Sequence, residues 1–176
     1  MIEKAVVIYW SKTGNTEKVA YAIKEGLEEK KIEVELKTTT EAEEIDFFDY
    51  DLIALGCPSY QWSPPEEVDQ FLKDKFTYYQ NRGEVKLKAP KKPDRNVLLF
   101  CTYSGPHTGK KEAVPVLKYT GQFFEHLGFN ILDEIYVLGE HHGSEEASTE
   151  GKMGDIRGLP DKEDLIQVKN RVKELI

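Results

Sequence analysis

Cysteine is scarce in this sequence, and long apolar runs are missing. The chain has two cysteines among its 176 residues, too few for a disulfide framework, which favours a reducing cytoplasm. Its first ten residues lack the basic start, apolar centre and small-residue cleavage site of a signal peptide. No stretch approaches the roughly 20 apolar residues that a membrane-spanning helix needs. The sequence therefore predicts a cytoplasmic protein with no membrane role.

Basic residues are outnumbered by acidic ones. Lys and Arg total 24 against 32 Asp and Glu, which gives a net charge of −8. Nucleic-acid binding calls for a basic footprint, so we expect no nucleic-acid partner. A negative field suits docking to a basic protein, although such a field bears on association rather than on fold.

Several familiar motifs are also missing. The chain has neither of the phosphate-binding patterns G-x-x-x-x-G-K-[ST] and G-x-G-x-x-G, nor the G-x-S-x-G nucleophile elbow. His141 and His142 are adjacent but lack a third ligand at a suitable spacing, so we interpret them as surface residues and expect no metal site. Cys57 and Cys101 each end an apolar run, and we interpret both as small buried hydrophobes.

What the sequence does contain is an alternation of apolar runs and amphipathic segments. The runs predict five strands, at residues 3–10, 32–38, 50–56, 96–101 and 131–138. Helical spacing predicts helices at 16–31, from 65 through 76, at 111–127 with Gly128 as C-cap, and from 161 onward. Residues 77–95, with a short element at 85–87, and residues 139–160 are predicted to be surface connections, and 41–46 a connection or short helix. The alternation predicts an open parallel α/β sheet in a single domain, residues 1–176.

Three connections leave predicted strand ends and carry unusual chemistry: the first loop (residues 10–16), the second loop (57–64) and the third loop (102–109). Ligands of open parallel sheets bind at this edge. In the first loop, hydroxyls surround Gly14 at the start of a helix, where free amides and the helix dipole favour an anion. Lys12 lies in mid-turn and is expected to face solvent. The alternative is a plain turn in which Asn15 or Thr13 serves only as N-cap.

The second and third loops add aromatic side chains at the same edge. The second loop has Tyr60 and Trp62, and the third has Tyr103, His107 and two glycines. A planar aromatic cofactor with a phosphate tail satisfies all three loops together, because rings stack on its ring system while backbone groups bond its polar edge. The alternatives are that Tyr60 and Trp62 cover the core and that His107 is an ordinary loop histidine.

The first loop resembles the FMN-phosphate loop of the flavodoxin family. The similarity runs through Val7, Ile8, Tyr9, Ser11, Gly14, Thr16, Ala20 and Ile23. It implies a flavodoxin-like three-layer sandwich, with a five-stranded parallel sheet in the order 2-1-3-4-5, and FMN as the cofactor. The cofactor-binding residues that it implies are Ser11, Lys12, Thr13, Gly14, Asn15, Thr16, Pro58, Ser59, Tyr60, Gln61, Trp62, Thr102, Tyr103, Ser104, Gly105, His107 and Gly109.

The resemblance implies a redox protein that passes electrons to a partner protein or to a small-molecule acceptor. One alternative is an NAD(P)H-dependent quinone or FMN reductase, an FMN-dependent oxidoreductase, because the second loop is similar to the G-x-P-x-Y loop of such enzymes. The other is a nucleotide-binding module without redox turnover. No nicotinamide-binding signature is visible, which favours electron transfer.

The second loop also bears on how many electrons move at once. Flavin carriers typically stabilise the one-electron-reduced state by turning a flexible peptide carbonyl toward the flavin N5. Pro58 has a fixed φ and restricts Cys57 before it. We therefore expect electrons to move nearly in pairs, unless the Ser59–Tyr60 peptide turns instead.

Overall fold

The computed structural model describes the whole chain, residues 1–176, and its centre is one parallel sheet. The strands are β1 (Lys4–Tyr9), β2 (Glu33–Thr38), β3 (Leu52–Pro58), β4 (Asn96–Tyr103) and β5 (Asn130–Leu138). They pair in the order β2-β1-β3-β4-β5, and every pairing is parallel. The predicted sheet and its strand order are confirmed.

Helices cover both faces of this sheet and make it the middle of three layers. The helices are α1 (Asn15–Glu29), α2 (Glu66–Asn81), α3 (Val114–His126), α4 (Glu145–Thr149) and α5 (Lys162–Leu175). Alternate residues of β1 serve two cores, since Val6 and Ile8 pack with α2 and α3 while Val7 packs with α1 and α5. A strand buried on both faces has to be apolar throughout, which is why β1 reads as a continuous apolar run. No helix combines the length and the apolarity needed to cross a bilayer.

Several predicted boundaries differ from the structure. Helix α2 continues through Asn81, so residues 77–81 are not part of the connection, and no helix or strand forms at 85–87. The extension has a tertiary cause: Tyr79 is fully buried, its ring lies 5.8 Å from that of Phe47, and its hydroxyl accepts the Phe47 amide proton at 2.6 Å. Residues 41–44 form turns before a short 3-10 helix at Phe47–Asp49.

Other boundaries shift toward the ligand-binding edge. Strands β3 and β4 extend through Pro58 and Tyr103, so Pro58, Thr102 and Tyr103 are strand residues rather than loop residues. Gly128 follows α3 with a φ of 81°, as a C-terminal glycine should. The 139–160 connection contains α4, and α5 starts from a capping box on Asp161.

Candidate functional site

The first loop is a tight turn between the end of β1 and the start of α1. The Ser11 hydroxyl accepts the Gly14 amide proton at 3.1 Å, and the Gly14 carbonyl accepts the first helical amide, that of Lys18, at 3.0 Å. Gly14 has a φ of 97°, a left-handed conformation that favours glycine, and the position of an added Cβ there has no atom within 4 Å. No side chain caps α1, so the interpretation of Asn15 or Thr13 as a simple N-cap is wrong.

The amides of this turn and of the first helical turn converge without partners. Between Ser11 and Glu17, only the Gly14 amide has an acceptor in the protein. Six amides around it donate to no acceptor in the protein, namely those of Ser11, Lys12, Thr13, Asn15, Thr16 and Glu17. Unpaired donors at the positive end of a helix dipole make an anion-binding site. This donor set fits a terminal phosphate.

We call the residues with these amides, Ser11 to Glu17, the cradle. Within it, Thr16 is buried and contacts β4. Its hydroxyl is 2.7 Å from that of Thr102, and the two residues are only 1% and 2% exposed. The structure therefore brings together Thr16 and Thr102, which are 86 positions apart. The Thr102 hydroxyl thus lies against the first turn of α1.

Asn15 fastens the first loop to the segment that follows β5. Its side-chain amide donates to the Glu140 carbonyl at 3.0 Å, and its oxygen is 3.3 Å from the His142 Nε2. A Cβ added to Gly139 would lie 2.7 Å from the Asn15 Nδ2, so a larger residue there would displace the Asn15 side chain. Sequence reasoning missed Gly139, Glu140 and His142. The one available signal was that β5 ends at the same edge of the sheet.

The second loop is held rigidly at both ends. The Ser59 amide donates to the Thr102 carbonyl at 2.9 Å and its hydroxyl to the Glu112 carbonyl at 2.5 Å. Tyr60 and Ser63 exchange two backbone hydrogen bonds of 2.9 Å, while Gln61 and Trp62 between them have φ angles of 48° and 55°. Two central residues with positive φ define a type I′ turn. The Ser59–Tyr60 peptide is thus held through its Tyr60 amide, and the Pro58–Ser59 peptide before it through the Ser59 amide.

The aromatic rings of the second loop lie at the surface. Trp62 is 63% exposed and Tyr60 is 42% exposed. Tyr60 packs edge-on against Trp10, with ring centroids 5.8 Å apart. Neither ring is buried in the core, so the alternative that both simply cover it is wrong for Trp62, which makes no aromatic contact in the protein.

The third loop is shaped by its glycines and by Glu112. Gly105 and Gly109 have φ angles of 55° and 71°, and a Cβ on Gly105 would lie 2.6 Å from the Gly109 carbonyl oxygen. The Glu112 carboxylate accepts the amides of His107 and Thr108 at 2.9 and 2.6 Å. Sequence reasoning did not single out Glu112, because no motif includes it.

The side chains of the third loop divide between core and surface. His107 is exposed, whereas Tyr103 is half-buried beside the core that contains Trp10, and burial raises its pKa. Ser104 lies at intermediate depth between them.

The two cysteines end neighbouring strands in register but have no reactive character. Cys57 pairs with Cys101 across β3 and β4, and both side chains are buried. Burial raises the pKa of the Cys57 thiol to about 12 and also raises that of Cys101, so both remain protonated near neutrality. Their interpretation as small core hydrophobes is confirmed.

A sizeable cavity lies beside these loops rather than between them. It measures about 720 Å³ and is bounded by the 39–45 turn and by α2. We assign the candidate site to the three loops, because the unpaired amides lie there and because ligands of parallel sheets bind where the strand order reverses. In this sheet that reversal falls between β1 and β3.

Comparison with known proteins identifies the family. The family model described as Flavodoxin matches residues 7–165. A curated flavodoxin of Maridesulfovibrio salexigens is 36% identical over 72 residues, which span 40% of this chain and 49% of that protein. The chain thus aligns with about half the length of that curated relative.

Solved structures agree with this fold. Oxidised flavodoxin 1 of Bacillus cereus superposes with a TM-score of 0.65 at 15% identity, over 98% of this chain and 97% of that one. The Streptococcus pneumoniae TIGR4 flavodoxin gives 0.64 at 15% identity, over 98% and 97%. These identities are low enough that the structures speak for the fold alone. The family-model match over most of the chain shows more: the chain belongs to the flavodoxin family, whose cofactor is FMN.

Proposed function

We propose that this protein is an electron carrier that binds FMN between its three loops. The observation that supports this most directly is the set of six unpaired amides at the start of α1. In this proposal the first loop, Ser11 through Thr16, holds the phosphate, Asn15 through its main-chain amide. The remaining contacts come from Pro58, Ser59, Tyr60, Gln61, Trp62, Thr102, Tyr103, Ser104, Gly105, His107 and Gly109.

Bound FMN supplies the electron-accepting group, and the protein supplies its surroundings. Amides and hydroxyls of the first loop stabilise the phosphate by hydrogen bonds without a clamping lysine, since Lys12 is exposed. Exposed Trp62 and Tyr60 provide ring faces for stacking. The fixed backbone of the second and third loops provides hydrogen-bonding groups for the polar edge of the ring.

Competition among flavins for the apoprotein tests this function. A phosphate-centred site should bind FMN far more tightly than riboflavin, and the loops offer no evident site for an adenosine. Preference for FAD would contradict the single-phosphate site, and absence of FMN binding would overturn the function. Steady oxidation of NAD(P)H with a quinone acceptor would contradict the carrier and favour a reductase.

The partner that we propose is a basic redox protein, and the cavity beside the second loop supports this choice. We call it the acidic groove. Its lining consists of Thr39, Thr40, Glu43, Glu44, Ile45, Glu66, Glu67, Gln70, Phe71, Asp74, Lys75 and Tyr78. It begins four residues after Trp62, at Glu66 on the first turn of α2.

The negatively charged side chains of the acidic groove form no ion pairs. None of its five carboxylates takes part in a salt bridge, and its single cation, Lys75, donates to the Glu43 and Ile45 carbonyls at 2.8 and 2.5 Å. Tyr78, which is exposed, adds apolar surface on which an alkyl stem can pack while its charged end reaches a carboxylate. The groove thus suits lysine or arginine side chains.

Binding of a tetralysine peptide, measured by calorimetry at low and high salt, tests the partner chemistry. The double variant Glu66→Gln/Glu67→Gln should bind the peptide more weakly than the unmodified protein, and added salt should weaken binding to both. The matched control is Glu3→Gln/Glu33→Gln, which removes the same charge at exposed positions on the opposite edge of the sheet. Equal weakening by both pairs would attribute binding to net charge alone and overturn the role of the groove.

A further inference from the structure

The buried hydroxyl pair of Thr16 and Thr102 has two hydrogen-bond donors, of which only one has an acceptor. Each hydroxyl has one donor, and the 2.7 Å contact between the oxygens occupies one of the two. Neither oxygen has another hydrogen-bond partner, and both residues are almost completely buried. One O–H is therefore left without an acceptor in a place that water does not reach freely, which is unfavourable.

The surroundings decide which hydroxyl carries the free proton. Thr16 is the second residue of α1, and its own amide and those of Asn15 and Glu17 are unpaired. A phosphate bound by these amides places acceptor oxygens beside the Thr16 hydroxyl. Thr102 lies within β4, paired with Pro58 of β3, and its carbonyl is already used by the Ser59 amide.

We propose that Thr102 is a positioning residue for the phosphate: it donates to Thr16, and Thr16 donates its own proton to a phosphate oxygen. This inference rests on the proposed FMN site and extends it, because it makes β4 part of phosphate recognition although β4 contributes nothing to the first loop. A hydroxyl that accepts a hydrogen bond is a stronger donor. The arrangement also holds the Thr16 rotamer before the ligand arrives.

The test compares FMN and riboflavin binding to Thr102→Val, which removes the hydroxyl and keeps the shape of the side chain. FMN binding should weaken about tenfold, the order expected when a charge-assisted hydrogen bond loses its orientation, while riboflavin binding stays unchanged. Thr102→Ser, which retains the hydroxyl, should bind FMN nearly as the unmodified protein does. A purely structural or ring-directed role would weaken both flavins alike.

A double-mutant cycle with Thr16→Val makes the test stricter. If Thr102 acts through Thr16, Thr102→Val should have little further effect on FMN affinity in the Thr16→Val background. An undiminished second effect would overturn the relay, as would Thr102→Val binding FMN normally while the unmodified protein distinguishes FMN from riboflavin. Failure of the unmodified apoprotein to bind FMN is a different result, and it would overturn the proposed function itself.

Discussion

At the scale of single residues, the exposure and backbone conformation of Trp62 are poorly explained by folding alone. A large aromatic side chain that is 63% exposed contributes little to the core. Its positive φ of 55° is also uncommon for a bulky residue. Strain of this kind at a ligand-binding edge is more easily understood if the ring has a partner that arrives later.

Replacing Trp62 by alanine tests that explanation. Loss of stacking should weaken FMN binding by about 1 kcal/mol and restore some flavin fluorescence, which stacking quenches. Tyr21→Ala removes another exposed ring, on the outer side of α1, and should change neither quantity. Unaltered affinity and fluorescence in Trp62→Ala would contradict stacking of Trp62 on the flavin.

Cys57 gives a residue-scale prediction about pH. Burial raises the pKa of its thiol from the usual value of 9.0 to about 12. Between these values the unfolded chain releases the thiol proton and the folded chain keeps it, so unfolding becomes easier as pH rises above about 9. Below that pH the thiol is protonated in both states and has no such effect.

Urea unfolding at pH 8 and pH 10 measures the consequence. The free energy of unfolding should fall with pH by at most about 1.4 kcal/mol per unit for this thiol. Because Cys57→Ala has no thiol to ionise at this position, its decline should be shallower than that of the unmodified protein. Identical declines would show that Cys57 ionises freely in the folded state.

At the scale of elements, the type I′ turn at 60–63 controls what the second loop can do. Turning the peptide between Gln61 and Trp62 by half a rotation converts a type I′ turn into type II′. The first central position of a type II′ turn is dominated by glycine, and here it is Gln61. The Tyr60 amide of the Ser59–Tyr60 peptide donates to the Ser63 carbonyl, and the Ser59 amide of the preceding peptide donates to the Thr102 carbonyl. The expectation that a peptide flip is hindered stays a prediction, and Gln61 is the residue that we expect to hinder the flip.

Gln61→Gly should relax this restraint. Stepwise anaerobic photoreduction, followed by visible absorbance, should detect little one-electron-reduced FMN in the unmodified protein and more in Gln61→Gly. Gln61→Ala is the matched control, because it removes the amide but keeps the Cβ, and it should behave like the unmodified protein. A large one-electron band in the unmodified protein, or equal bands in both variants, would contradict this role of Gln61.

The elements also show where sequence reasoning succeeds. Apolar runs of strand length located β1, β3 and β4, since burial on both faces leaves a continuous signal. The end of α2 was misplaced because Tyr79 sits among polar residues in sequence, and its burial against Phe47 depends on tertiary packing. Helix α4 was not predicted because it has only five residues, too few to show a helical spacing of apolar side chains.

At the scale of the whole molecule, the first loop is assembled from distant parts of the chain. Residue types and strand ends were sufficient to bring the three loops to one edge. The contacts that fix the first loop, Thr16 with Thr102 and Asn15 with Glu140, span 86 and 125 positions. No local pattern encodes such pairs, and they become visible only when β4 and β5 are placed beside β1 and β3. The consequence is a cradle whose shape depends on the folded arrangement of the sheet.

A cradle that exists only in the folded chain links FMN to the stability of the whole chain. A ligand that binds only the folded state raises the free energy of unfolding by about 2.7 kcal/mol at a free concentration of 100 Kd. For a chain of this size that corresponds to roughly 5–10 °C in Tm. Thermal unfolding followed by circular dichroism should therefore show a Tm that rises steadily with FMN concentration. Riboflavin at the same concentrations should raise the Tm less steeply. In Thr102→Val, the Tm should rise only at higher FMN concentrations. A Tm that stays constant while titration shows a saturated site would mean that FMN also binds the unfolded chain. That result would contradict a cradle that exists only when the first loop is held between β4 and the segment after β5.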